Sequence, residues 1–181
     1  MSVYVHLAEG FEEIEALSVI DVLRRAAINV QLISVTKNKI VTGAHKISVE
    51  ADLLFEEADY TACKMIVLPG GMPGTLNLKA HTGLIQMLSE FHNAEKWIAA
   101  ICAAPMILGE LGMLEQKEAT IYPGMEAHLR GAKPVSKRVV CDGNLITARG
   151  PAAAMEFALQ IVEKLTDQET RHRLEKDMTI K

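Results

Sequence analysis

Short apolar runs rich in β-branched residues alternate along this chain with longer stretches whose apolar positions recur every three to four residues. That alternation leaves few architectures open. SVYVHLA, NVQLISVT, CKMIVLPGG and KWIAAI read as strands, and MIVL within the third has no polar face at all. A strand without a polar face is buried on both sides, which is the habit of parallel sheets covered by helices. FEEIEALSVIDVLRRAA supplies a helix with apolar residues at Phe11, Ile14, Leu17, Ile20 and Leu23, and TLNLKAHTGLIQMLSEFHNA a second. CAAPMILGELG reads as a helix stopped by Gly112, and PAAAMEFALQIVEKL as one opened by Pro151. KIVTGAHKISVEADL forms a hairpin turned at Thr42-Gly43, EATIYPG a strand, RVVCDGNLITARG a hairpin on an Asp-Gly turn, and DQETRHRLEKDMTIK a polar helical tail. The expected fold is therefore α/β, a three-layer sandwich around a mostly parallel sheet. With no linker, repeat or low-complexity segment in 181 residues, a single domain over 1–181 is expected.

Composition serves mainly to exclude. A formal net charge of -4 without a basic stripe gives no surface for neutralising phosphates, so no nucleic-acid partner is expected. No apolar run is long enough to span a bilayer, and MSVYVHLAEG lacks a positive leader region, so no membrane partner is expected either. Cys63, Cys102 and Cys141 are widely spaced and odd in number, which speaks against a disulfide framework and for a reducing, cytoplasmic setting. Neither a CxxC nor an HxxxH pair occurs, and no metal or cofactor is expected.

Parallel sheets bind ligands beyond the carboxyl ends of their strands. Cys102 lies at such an end, where KWIAAI meets a run of small residues. In AICAAP, Ala100, Ala103 and Ala104 leave room for the chain to double back, and Pro105 suits an early helical position. These are the mechanics of a nucleophile elbow. A thiol at a helix N-terminus is expected to have a depressed pKa. A small buried core cysteine fits the same residues, and for Cys63 and Cys141 that plainer reading prevails. Gly70 and Gly71 in LPGGMPG expose backbone N–H groups able to form an oxyanion pocket. No GK[ST] ending makes this turn a phosphate loop. Glu12 and Glu13 read as solvated charges at a helix start. Arg149 in TARG is a candidate contact for an anionic ligand, or one half of a structural ion pair.

Four ordered stretches, AEGFEEIEA, VLPGGMPG, AAICAAPMIL and TARGPAAAMEFAL, resemble the ThiJ/PfpI family over nearly the whole chain. Within it they look most like the DJ-one-like subgroup, that of a parkinsonism-linked redox protein. The resemblance implies a flavodoxin-like sandwich of the class I glutamine-amidotransferase-like type, usually a homodimer. It also implies that Cys102 is the reactive nucleophile and that Glu15 carries the carboxyl bonded to its sulfur. Gly71 and Ala103 match positions whose N–H groups face that sulfur. Burial of Glu15 between Phe11 and Val19 would keep it protonated.

One departure stands out. Hydrolytic and amidotransferase relatives carry a histidine after the next strand, where this chain has Tyr122 in TIYPG. Of its six histidines, His128 is nearest, six residues on. A Cys–His–acid triad, and with it protease or glutaminase activity, is not expected; Tyr122 remains a possible ligand contact. The resemblance implies cofactor-independent chemistry on small reactive carbonyls or glycated groups, of glyoxalase or deglycase type. Alternatives are a sensor that oxidises Cys102 to a sulfinic acid and a holdase-type chaperone. The thiazole monophosphate biosynthesis label that travels with the family has no phosphate site here to support it.

Overall fold

The computed structural model describes residues 2–180. Met1 and Lys181, the ends of the expected domain and of the polar tail, lie outside them. Strands β1 (Ser2–Leu7), β2 (Asn29–Ser34) and β6 (Cys63–Leu68) form the middle of the sheet, and β7 (Trp97–Ile101) extends it. Helix α1 (Glu13–Arg25) joins the first two strands, and β3 (Ile40–Thr42), β4 (Ser48–Glu50) and β5 (Leu53–Leu54) follow β2. Between β6 and β7 run α2 (Gly74–Ala80) and α3 (Thr82–Asn93). After β7 come α4 (Pro105–Glu110), β8 (Glu118–Ala119), β9 (Lys133–Pro134), β10 (Val139–Asp142), β11 (Leu145–Ala148), α5 (Ala154–Leu165) and α6 (Gln168–Asp177).

The main sheet has seven strands in the order β10-β11-β7-β6-β1-β2-β5. All its pairings are parallel except β10 with β11, the hairpin expected at Asp142-Gly143. Two apolar cores lie on opposite faces. One packs α1 and α5 onto the sheet through Phe11, Val19, Leu23, Phe157 and Ile161. The other packs α3 and α4 against Ile66, Leu68, Ile98 and Ala100. Neighbouring residues of β6, such as Ile66 and Val67, thus enter different cores, which is why MIVL shows no polar face. This is the expected three-layer α/β arrangement.

Four local expectations are revised. The helix over 75–94 is two helices, divided at His81, whose Nδ1 accepts the Leu84 N–H at 3.0 Å and so caps α3. EATIYPG keeps only two residues of strand, because the Thr120 N–H goes to the Thr147 hydroxyl and the Tyr122 N–H to the Cys102 carbonyl. The first helix begins at Glu13, with Glu12 as its N-cap. Its apolar stripe is also not all core: Ile14 is 57% and Leu17 38% exposed. The hairpin over 40–50 turns across Gly43–Ile47, where the Gly43 N–H meets the Ile47 carbonyl at 2.9 Å.

Candidate active site

Strand β7 ends at Ile101, and the next residue turns the chain. Cys102 sits at φ +63°, a left-handed conformation that a side chain with a β-carbon rarely adopts. Such a residue carries ~1–3 kcal/mol of strain and persists where its surroundings over-determine it. Here they do so through two long-range bonds. The Cys102 N–H donates to the Ala148 carbonyl at the end of β11, and the Cys102 carbonyl accepts the Tyr122 N–H, both at 2.9 Å. Small neighbours matter as expected: Ala103 and Ala104 are buried, and Pro105 opens α4. The elbow is thus a property of three chain segments held together.

The glycine turn after β6 closes over the same spot. A Cβ on Gly70 would lie 2.5 Å from the Cys102 Cβ and 2.8 Å from Glu15 Oε2, so no side chain fits there. Gly71 has φ +89°, and a Cβ on it would meet the Glu12 backbone nitrogen at 2.5 Å. The N–H groups of Gly71 and Ala103 both act on the Cys102 sulfur and favour its ionised form.

Glu15 comes from the first turn of α1 and is fully buried. Glu12 places it, accepting the Glu15 N–H at 2.8 Å. Glu15 Oε2 accepts the Gly70 N–H at 2.7 Å. Its Oε1 is enclosed without a nitrogen or oxygen partner among the described residues, and the polar side chain the carboxyl meets is Cys102. Burial pushes the Glu15 carboxyl up to about 7, outweighing the Gly70 N–H and Cys102 bonds that stabilise its charge.

The thiol moves opposite to the expectation of a depressed pKa. Burial first, then the Glu15 carboxylate, push Cys102 up to about 12, and the two N–H groups offset only part of this. Helix α4 is six residues long and starts three residues beyond the cysteine, so its dipole is a weak counterweight. The upward push from Glu15 exists only while that carboxyl is ionised. Once protonated, the same group becomes an O–H donor facing sulfur. Cys102 and Glu15 therefore titrate as a coupled pair, with Cys102 8% exposed at the surface.

Among the described residues no histidine acts on the sulfur; His128 lies in a short 3-10 turn, Glu126–His128. Tyr122 contributes its backbone to the elbow while its ring is 48% exposed. The Arg149 side chain donates to the Ser136 carbonyl at 3.3 Å and has no carboxylate within ion-pair distance among the described residues. Cys63, whose sulfur donates to the Met65 carbonyl, is fully buried, and burial raises its pKa to about 12. It keeps its structural reading.

Glu12 and Glu13, expected as solvated charges, are buried instead. Glu13 anchors the β3–β4 turn, accepting the His45 N–H at 2.7 Å and the His45 ring Nδ1–H at 2.8 Å. These bonds hold its carboxyl below the ordinary value against the opposing effect of burial. Ligand atoms of Glu12, Glu13 and His45 lie within 4.8 Å of one another, the spacing of a metal site. Both carboxylates already accept N–H groups, which accounts for their burial without an ion.

Comparison with known proteins identifies the family. Residues 1–164 match the DJ-1/PfpI family. The chain belongs to the DJ-1/PfpI family. It is 36% identical to the Drosophila melanogaster protein dj-1beta, covering 99% of this chain and 97% of that one. It is 39% identical to DJ-1 homolog B of Arabidopsis thaliana over 96% of its own length, and spans 40% of that longer relative. An oxidised Toxoplasma gondii DJ-1 structure superposes with a TM-score of 0.94 at 34% identity, covering 98% of this chain and 97% of that one. The DJ-1/PfpI membership extends to the flavodoxin-like sheet described above. Two features of this family member were not legible in its sequence. The Ala148 carbonyl that pins the elbow carries no residue-type signal, and Glu12 looks like any acidic helix start. Among the described residues no helix is long and apolar enough to cross a membrane.

Proposed function

We propose that this protein is a cysteine-dependent, cofactor-independent catalyst acting on small reactive carbonyls such as methylglyoxal. The observation that carries the reading is the buried Cys102–Glu15 pair set beneath the Gly71 and Ala103 amides. A carboxyl near 7 both donates and accepts protons at neutral pH. In this chemistry the Cys102 sulfur adds to the aldehyde carbon, and the proton of the pair goes to the carbonyl oxygen, giving a hemithioacetal. Glu15 then takes the proton from that carbon and returns one to the neighbouring carbon, while the hydroxyl proton passes to the neighbouring ketone oxygen, leaving a thioester. Water cleaves the thioester, releasing lactate and the thiol. Carbon is oxidised at one centre and reduced at the next, so no external redox partner is needed. The backbone amides stabilise oxygen charge as it develops.

The test is lactate formation from methylglyoxal by the parent chain and by Cys102→Ala. The variant is expected to fall to the uncatalysed background, and equal rates in both proteins would end the proposal. A second reading draws on the same two amides, which would also hold the oxygens of an oxidised sulfur: a protective role under oxidative stress. Mild peroxide should then add two oxygens to Cys102 before Cys141 changes, read by mass spectrometry; the reverse order would refute it. Homodimerisation belongs to the same proposal. It is supported by the exposed Ile14 and Leu17 on α1 beside the exposed Ile47 of the turn that Glu13 anchors. A cytoplasmic setting fits the free cysteines.

A further inference from the structure

Three hydrogen bonds close a ring beside Cys102. The Glu12 N–H donates to the Gly70 carbonyl at 2.9 Å, Glu12 Oε2 accepts the Glu15 N–H at 2.8 Å, and Glu15 Oε2 accepts the Gly70 N–H at 2.7 Å. Both polar groups of Gly70 are thus engaged by the first turn of α1. The ring lies against the thiol, since a Cβ on Gly70 would sit 2.5 Å from the Cys102 Cβ. It fixes one oxygen of Glu15 and leaves the other, Oε1, enclosed and without a nitrogen or oxygen partner among the described residues. Glutamate is an uncommon N-cap, a place better served by the short side chains of Ser, Thr, Asp and Asn. Here it is buried, and the glycine turn comes close enough that a Cβ on Gly71 would lie 2.5 Å from the Glu12 nitrogen. The ionisable side chains acting on Glu15 are Cys102 from the elbow and Glu12 from its own helix. His45, from the β3–β4 turn, lies 3.9 Å from Glu12 and 2.8 Å from Glu13.

We infer that Glu12 is a positioning residue, which closes the ring that clamps the Glu15 carboxyl to the glycine turn and so presents Glu15 Oε1 to the Cys102 sulfur. Its consequence for turnover rests on the carbonyl reading above, whereas the clamp itself does not. Without Glu12 the Glu15 carboxyl keeps only the Gly70 N–H and follows every movement of the helix end. Misplacing a reacting group by about 1 Å can cost on the order of 100-fold in rate.

Glu12→Ala is expected to lower kcat for lactate formation from methylglyoxal about tenfold or more, with KM little changed. Glu12→Gln, whose amide oxygen still accepts the Glu15 N–H, should restore most of the loss. Asp167→Ala removes the matching N-cap bond of α6, to the Thr170 N–H at 2.7 Å, and should leave kcat as in the parent. Infrared difference spectra against Glu15→Gln read the protonated Glu15 carboxyl directly, at a pH below its value of about 7. That band should be narrow in the parent and in Glu12→Gln, and should broaden in Glu12→Ala as the carboxyl takes several orientations. An unchanged kcat or an unchanged band in Glu12→Ala, a Glu12→Gln variant as impaired as Glu12→Ala, or an equal loss of kcat in Asp167→Ala would each overturn the assignment. Should Glu12→Ala fail to fold, Glu12→Gly, which an N-cap tolerates better, takes its place with the same expectations. Absence of lactate formation in the parent refutes only the carbonyl reading, and the infrared band then decides this one.

Discussion

His6→Leu is expected to keep the fold intact at acid pH values where the parent chain unfolds. His6 lies in the middle strand β1, is fully buried, and bonds through Nε2 to the Tyr60 hydroxyl at 2.7 Å. Tyr60 and Phe55 pack around its ring at centroid distances of 5.9 and 6.4 Å. Burial, aided by nearby His81 and opposed by the Val67 and Tyr4 backbone, lowers its pKa from 6.5 to about 3. In the unfolded chain the imidazole takes up a proton near 6.5, whereas in the fold it stays neutral until about 3. The unfolded state therefore binds more protons across that interval, and stability falls as the pH falls through it. At about 1.4 kcal/mol for each pH unit, the loss approaches 4–5 kcal/mol by pH 3, a large share of a domain's usual margin. Leucine does not titrate. At pH 7 it forgoes one hydrogen bond, worth about 1 kcal/mol, because Tyr60 is only half-buried and its hydroxyl can turn to water. Urea midpoints at pH 7, 5.5 and 4.5 should fall steeply for the parent and much less for the variant. Parallel curves would show that His6 is not the acid-sensitive group.

Glu15→Gln is expected to stabilise the protein at pH 8 while removing the titration that controls its thiol. The Glu15 carboxyl rises from 4.5 to about 7 on folding, because its charge is buried. The folded state thus holds a proton that the unfolded state has released between those values. Stability is lost as the pH rises from 4.5 through about 7, by about 3 kcal/mol in all. Glutamine keeps an acceptor oxygen for the Gly70 N–H and has no charge to bury. The variant should therefore match the parent near pH 4.5 and exceed it by about 3 kcal/mol at pH 8, read from denaturant midpoints. In the parent, the Glu15 carboxyl ionises at about 7, and its charge then holds the proton on the Cys102 thiol. Removing that charge in Glu15→Gln should shift the onset of iodoacetamide labelling of Cys102 to lower pH. An unchanged labelling profile would show that the carboxyl and the thiol titrate independently.

Both predictions concern groups whose identity was visible in the chain and whose behaviour was not. The strand–helix alternation, the elbow at AICAAP and the glycine turn after MIVL are local patterns. Each follows from side-chain periodicity, backbone room or a missing Cβ, all of which can be read residue by residue. The Asp142-Gly143 hairpin and the Pro151 helix opening are legible for the same reason. Choosing Glu15 over Glu12 and Glu13 needed the family resemblance, because three adjacent acidic residues at a helix start are locally alike.

What the sequence determined by itself was the layered α/β fold and the placing of one cysteine at a bend after a central strand. Tertiary structure alone decided which apolar residues of α1 face solvent, that Glu12 and Glu13 are buried, and that the thiol is raised rather than lowered. Desolvation and charge proximity depend on how closely separate segments approach. The approach of Gly70, Ala148 and Tyr122 to Cys102 is set by packing across the sheet, which no local pattern records.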